Sequence, residues 1–419
     1  MKIFEVRDPV YGFIEFNEWE NEIISHPAFQ RLRRIRQLGF TDMVFPSAIH
    51  TRFEHSLGVM NLVTKMFDSV VNKEENKMLL KNQLNYEDEG LKRDRQIIRI
   101  AGLLHDIGHA PFSHVSEELM PYIPNTNRRY KHEDYTVAII TGPLKNVIEK
   151  HKSNVNYGIT ANDIADMIKG DPKSLGSRIF WKILISSQLD ADRCDYLLRD
   201  SLHIGVKYGV YDLERLLVTL KLGKGPETND IVLGIDEGGL HVAEGIVIAR
   251  FQMFTQVYYH KTRRAYDFML KEALKKTINE YPPPDRIEDF LKYDDYRTWH
   301  LMLNENEWFD NILKRNHIRM VMETEEMPSQ EKAKKIEKLK EKLKESQIWF
   351  LEDCSDDAKL WYDLENEEIQ IIDNEGKIKP LSQYSKIVQS LKMKFRKIRV
   401  YVKSEDKNRA KKLKEEENL

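Results

Sequence analysis

The sequence predicts a mainly α-helical protein, with a helical core followed by a smaller α+β region at its C-terminal end. Three observations carry that expectation. Apolar residues recur at three- and four-residue spacings through most of positions 1–275, the run YPPPDR at 281–286 interrupts the pattern, and β-branched and aromatic runs cluster after position 345.

Taken in order, Lys2 to Phe16 reads as an extended start with turn residues Asp8-Pro9 and Gly12. HPAFQRLRRIRQLG places Phe29, Leu32, Ile35 and Leu38 three apart with arginines between them, the pattern of an amphipathic helix closed by Gly39. RFEHSLGVMNLVTKMF, RQIIRIAGLLHDIGH, KILISSQLDADRCDYLLRDS and the long GLHVAEGIVIARFQMFTQVYYHKTRRAYDFMLKEAL are further helical stretches, and IVLGI is a rare strand-like piece. SQEKAKKIEKLKEKLKES alternates Glu and Lys at i,i+4 spacings, as a solvated helix does. IWFLEDC, EIQIIDNEGKIKPL and KIRVYVK then predict a small antiparallel sheet, the middle one folded at Asn374-Glu375-Gly376. The tail EDKNRAKKLKEEENL is charged, and frayed or helical. The expected division is a helical core domain at 1–275, a charged helical connector at 276–345, and a small α+β region with a charged tail at 346–419.

Composition narrows the function classes. The 66 basic and 68 acidic residues give a formal charge of −2, so no global field marks a nucleic-acid or membrane-surface binder, and any anion must be held locally. Two cysteines, Cys194 and Cys354, cannot build a disulfide framework, and MKIFEVRDPVYGFIEF lacks the layout of a signal peptide. No apolar run reaches the ~18 residues of a membrane span. A cytoplasmic location is the expectation.

The chemistry centres on His105-Asp106 in LLHDIGH. Four apolar neighbours place this imidazole and carboxylate on a helix otherwise destined for burial, where both are costly unless a cation compensates them. His109 follows one turn later on the same face. Upstream, TRFEHSLGV adds His55 beside Arg52; downstream, LDADRCDYLLRDS adds Asp190, Asp192, Asp195 and Asp200. One more His and one Asp complete an octahedral-type set. Imidazoles mixed with carboxylates suit Fe, Mn, Zn, Co or Ni better than an all-oxygen Mg or Ca cage. A divalent cation held this way acidifies water and polarises phosphoryl oxygens, the two effects phosphoester hydrolysis uses.

RFEHSLGV, AGLLHDIGHAPFSH, KHED and LDADRCDYLLRD occur in an order and spacing that resembles the HD-domain deoxynucleoside triphosphate triphosphohydrolases. The resemblance spans roughly residues 5 to 275, with a weaker likeness at DNEGKIKPL and RVYV. It implies an HD-domain helical core with His55, His105, Asp106 and Asp192 as ligands of a divalent metal (Mn, Fe, Zn, Mg, Co or Ni). Arg52, His109, His114 and Arg193 would face the triphosphate, Arg193 standing where relatives often have Lys. His132, His109, His114 and Glu117 would form the catalytic group at the scissile phosphate, Glu117 standing where relatives commonly have Asp. Gln37 and Leu38 would lie against the sugar, Tyr196 and Asp200 at its 3′-hydroxyl side, and Tyr266 near sugar or base.

The same resemblance implies a dNTP substrate, a dimeric or tetrameric homo-oligomer, and an activating dNTP at a subunit interface. The 328–345 helix and the C-terminal sheet are candidate interface elements. Arg33, Arg34 and Arg36 are either activator contacts or a solvated helix face, while Phe4 and Ser25 stand where relatives carry charged groups for guanine. Thr262 and Tyr258 likewise replace polar or basic substrate contacts. Elsewhere, His50, His203, His241 and His260 read as structural, Cys194 as a buried inert thiol, and Asp190 and Asp195 as caps or solvent-facing groups. Two other readings remain: an HD phosphodiesterase or nuclease, and a nucleotide-sensing HD protein without catalysis.

Overall fold

Asp8 opens the structure by accepting the amides of Val10 and Tyr11 on Oδ1 (2.9 and 3.0 Å), a turn that joins β1 (Ile3–Asp8) antiparallel to β2 (Gly12–Asn17). The computed structural model describes residues 2–84, 88–225, 230–326, 328–355, 368–391 and 396–417. Asn17 and Glu20 close a capping box on α1 (Glu18–Ser25).

The helix expected across 26–39 does not persist. Only α2 (Pro27–Gln30) is α-helical; a 3₁₀ turn covers Arg31–Arg34, and Ile35 is extended. Tertiary hydrogen bonds outcompete the local periodicity here. Arg31, 1% exposed, donates Nε to the Tyr293 carbonyl (2.7 Å) and a guanidinium nitrogen to the His109 carbonyl (2.8 Å), while the Arg36 amide is taken by Asp295. Arg33 lies over the Phe53 ring, Arg34 pairs with Asp294, and Arg36 pairs with Asp42.

The core is built on α3 (Arg52–Val71), started by a Thr51–Glu54 capping box, and α4 (Asp88–Leu104) packed against it. Val59, Met60, Val63 and Met66 meet Ile97, Ile100, Ala101 and Leu104 in one buried cluster. Around them lie α5 (His132–Thr141), α6 (Ala161–Lys169) and α7 (Ala191–Ile204).

Strand material is richer than the sequence indicated. β3 (Leu220–Lys224) and β4 (Ile231–Asp236) form a hairpin ahead of α8 (Leu240–Met253). The long stretch from 240 is not one helix: a π-helical turn at Phe254–Tyr258 separates α8 from α9 (Lys261–Thr277). Beyond it come β5 (Arg319–Glu323), α10 (Gln330–Glu345), β6 (Phe350–Cys354), β7 (Gln370–Ile372), β8 (Ile378–Pro380), β9 (Ile398–Val402) and α11 (Lys407–Glu416).

The C-terminal runs do not make the single sheet expected of them. β6 and β9 join β5 in the order β5-β9-β6, whereas the β7–β8 hairpin continues the earlier sheet as β3-β4-β7-β8, with β4 and β7 parallel. Burial of Ile235, Ile371 and Ile372 explains the choice, since pairing with β4 covers their faces. The Glu/Lys-rich α10 is not solvated all round: Ile336, Leu339 and Leu343 bury against Val400, Val402 and Ile398. The last two tail residues lie outside the described residues. Among the described residues no helix is long and apolar enough to cross a membrane.

Candidate active site

The HD pair sits just past a helix rather than on it. α4 ends at Leu104, and residues 105–108 form a turn closed by Ile107 N to Leu104 O and His109 N to Asp106 O (both 3.1 Å). The cause is Gly108. A Cβ there would meet the His132 carbonyl at 2.2 Å and the Thr136 amide at 2.4 Å, so the turn presses onto the start of α5, where Thr136 Oγ1 bridges the Gly108 amide and the His105 carbonyl. Placing the pair at a helix C-terminus also points carbonyl dipoles at a position suited to a cation.

Four side chains converge there. The first turn of α3 contributes His55, the 105–108 turn contributes His105 and Asp106, and the first turn of α7, capped by Asp190, contributes Asp192. His55 Nε2 lies 3.1 Å from Asp192 Oδ1 and 3.5 Å from Asp106 Oδ2; His105 Nε2 lies 3.4 Å from Asp106 Oδ1 and 3.8 Å from Asp192 Oδ1. These edges match the spacing of donors sharing one metal ion. His105 Nε2 is buried and without a hydrogen-bond partner, while its Nδ1 is fixed by the Gly102 carbonyl at 2.8 Å. An orphaned imidazole nitrogen aimed at two carboxylates fits a divalent cation.

The electrostatics agree. Burial alone would drive a proton from His55, yet hydrogen bonds to Asp192 and Asp195 reverse that and hold its pKa up to about 10. Burial would raise Asp106, but Arg52, His105 and His109 bring it well below the usual carboxylate range. His105 is raised despite its burial, chiefly by Asp106 and Asp192. The carboxylates at the centre of the basin are therefore held ionised, and positive charge gathers on the imidazoles beside them.

A second group adjoins the first through Asp106, whose Oδ1 is 3.3 Å from His109 Nε2. His109 stacks on His132 with ring centroids 3.9 Å apart, and Glu117 Oε1 receives His114 Nδ1 (2.8 Å) and His132 Nδ1 (3.0 Å). His109, His114, Glu117 and His132 thus form one cluster, with His114 exposed and His109 buried. Burial, then the charges of Arg52 and His132, keep His109 neutral. His114 and Glu117 ride on a 3₁₀ turn, Ser113–Leu119, entered through Phe112 and Ser113, both with left-handed φ (58° and 60°).

Arg52 links the groups. It pairs with Asp106 Oδ2 and donates Nε to Ser113 Oγ at 2.8 Å. Arg193 turns back onto Asp190 and the Ser187 carbonyl. Among the residues expected at a sugar, Gln37 Oε1 is buried without a partner, an acceptor left open, and Leu38 packs at the core margin. Asp200 has both oxygens engaged, by His50 Nε2 (2.8 Å) and the Tyr258 hydroxyl (2.6 Å), and Tyr196 meets Tyr258 edge to face. Tyr266 is fully buried in the second core cluster, its hydroxyl 3.3 Å from His317 Nδ1.

Sequence reasoning missed the roles of three residues. Asp195 is neither cap nor solvent-facing: it is completely buried, receives His55 Nδ1 at 2.8 Å and pairs with Arg199, which itself reaches Asp8. Its i,i+4 spacing to Arg199 was the available signal. The Tyr258–Asp200 bond and the contacts of Asp295 had no local signal, because the partners lie 58 and more than 180 positions away. Asp190 caps α7 and Cys194 is buried, its thiol pushed up to about 12, as a structural thiol would be.

A helical core with a His/Asp basin at one helix end is the architecture of an HD-type metal-binding domain. Comparison bears this out: the HD domain family matches residues 52–178, and the HD associated region matches residues 211–417. The chain belongs to the HD-domain phosphohydrolase family. It is 32% identical to the uncharacterized protein YwfO of Bacillus subtilis, over 94% of this chain and 90% of that one. It is 28% identical to the deoxynucleoside triphosphate triphosphohydrolase SAMHD1 homolog of Dictyostelium discoideum, over 79% of this chain but 57% of that protein. A crystal structure of a phosphohydrolase from Bacteroides thetaiotaomicron superposes with a TM-score of 0.71 at 25% identity, covering 96% of this chain and all of that one.

Proposed function

We propose that the protein hydrolyses deoxynucleoside triphosphates at the α-phosphorus, releasing deoxynucleoside and inorganic tripolyphosphate. One observation carries this reading: Asp106 touches both clusters, so a phosphoryl group bound over it meets the His55–His105–Asp106–Asp192 basin, Arg52 and the His109–His132 stack together. The Dictyostelium relative, whose name states this activity, supports the choice of substrate.

A divalent cation held by His55, His105, Asp106 and Asp192 supplies Lewis-acid activation when bound. The chain's own groups do the rest. Arg52, with its planar fork, grips phosphate oxygens. With His132 Nδ1–H donating to Glu117, His132 Nε2 is the atom free to hand a proton to the leaving 5′-oxygen as water adds to phosphorus. His109, stacked against His132 with ring centroids 3.9 Å apart, holds that ring in place. The open acceptor Gln37 Oε1 and the Asp200–Tyr258 pair are the polar groups offered to the sugar, where a crowded or unpaired 2′-hydroxyl would disfavour ribose.

The test is product analysis with Mn or Mg and each dNTP, singly and mixed. Deoxynucleoside with tripolyphosphate is expected; nucleoside monophosphate with pyrophosphate, or cleavage of phosphodiesters in place of dNTPs, overturns the reading. Homo-oligomerisation and activation by a dNTP at a subunit interface belong to the same proposal. Light scattering that finds a monomer with and without dNTP overturns that part.

A further inference from the structure

Asp295 lies far along the chain from every residue of the two His/carboxylate clusters, in the HD associated region, yet two of its neighbours are site loops. It is 4% exposed, and it begins a helix spanning Asp295–Met302. Its Oδ1 accepts the Phe112 amide and its Oδ2 accepts the Arg36 amide, each at 2.8 Å. Those two amides belong to the segments that meet at Ser113. Ser113 Oγ donates to the Arg36 carbonyl (2.7 Å) and accepts Arg52 Nε (2.8 Å), and Arg52 in turn pairs with Asp106.

We infer that Asp295 is a positioning residue: by bridging the Arg36 and Phe112 amides it fixes Ser113, and through Ser113 the phosphate-gripping guanidinium of Arg52. Three facts favour a dedicated role over generic packing. Phe112 and Ser113 are consecutive left-handed residues without being glycine, a conformation that must be held from outside. A carboxylate accepts both amides, whereas a carboxamide of the same shape turns a donor toward one of them. The neighbouring residues reinforce the clamp, since the Tyr293 carbonyl receives Arg31 Nε and Asp294 pairs with Arg34. Burial pushes the Asp295 carboxyl up to about 7 against the two amides, Arg36 and Arg31, so the position is held at an electrostatic cost.

The inference rests on the reading of Arg52 as the anion grip, and its test is independent of turnover. Metal-loaded wild type, Asp295→Asn, Arg52→Lys and the double variant are titrated calorimetrically with inorganic tripolyphosphate. Asp295→Asn is expected to weaken binding about 10-fold or more when Arg52 is intact, as loss of a charge-assisted contact does, and less than about 2-fold in the Arg52→Lys background, with metal content unchanged. Equal losses in both backgrounds, or no loss in either, overturn the inference. If Asp295→Asn does not fold, Asp295→Glu, which keeps the charge but displaces the carboxylate from the two amides, taken through the same cycle measures the same coupling, with the same outcomes for and against. A protein that shows the cycle but hydrolyses no dNTP keeps this inference and loses the proposed reaction.

Discussion

His55 donates its Nδ1 hydrogen to Asp195 at 2.8 Å, which turns its Nε2 toward Asp192 and Asp106 and fixes the ring in the orientation a metal ligand needs. Arg199 grips both oxygens of Asp195, Oδ2 at 2.8 Å and Oδ1 at 2.9 Å, keeping that carboxyl at about 2 in spite of its burial. Replacing Asp195 by Asn should lower metal affinity about 10- to 100-fold, the usual effect of losing such a partner. Competition with a chromophoric chelator measures it, and unchanged affinity would show that His55 needs no support.

Removing the metal should abolish turnover and lower thermal stability together. A ligand bound to the native state alone, at 100 times its Kd, stabilises by about 2.7 kcal/mol, so the chelated protein is expected to melt several degrees lower and to recover on adding Mn. Asp192→Ala should melt like the chelated wild type and not respond to Mn.

Tyr258→Phe removes one of two groups holding Asp200 while leaving the phosphate side untouched. A loss of about 1 kcal/mol, or roughly 5-fold, is expected in kcat/KM for dNTPs. Binding of tripolyphosphate should not change, and a parallel loss there would sink this assignment.

Gly108→Ala drives a methyl into the backbone of α5. Because neither the His132 carbonyl nor the Thr136 amide can step aside cheaply, destabilisation of about 3 kcal/mol or more is expected in denaturant titrations.

Asp295 gives a pH signature. Its folded pKa, about 7, lies above the ~3.9 of an unfolded Asp, so its contribution to stability is fully present below ~4 and lost as pH rises through 7. Wild type should therefore gain up to about 4 kcal/mol relative to Asp295→Asn between pH 8 and pH 4. Taking the difference between the two proteins cancels every other titrating group, and a flat difference would contradict the shift.

The elements legible in the sequence were those set by local pattern. α3 and α7 begin at Thr51 and Asp190, whose capping chemistry is encoded within three residues, and both carry site residues in their first turn. What local pattern could not show was decided at long range. Arg31 abandons helical geometry for carbonyls at 109 and 293, and the β7–β8 hairpin leaves its sequence neighbours for β4. The HD pair was read on a helix because LLHDIGH continues the apolar period, but the contact of Gly108 with α5 ends that helix first. Asp195, read as a cap or solvent-facing group, and Asp295 were not recognised as supports behind the site because a buried carboxylate and an exposed one look alike in sequence.

Arg399, on the central strand β9, donates to the carbonyl of Tyr259, the residue after the Tyr258 that holds Asp200. During synthesis the proposed metal ligands all emerge before residue 193, whereas this tie waits for a strand some two hundred positions later. Truncation ahead of β9 therefore removes the brace on Tyr259 while leaving all four candidate ligands in the chain.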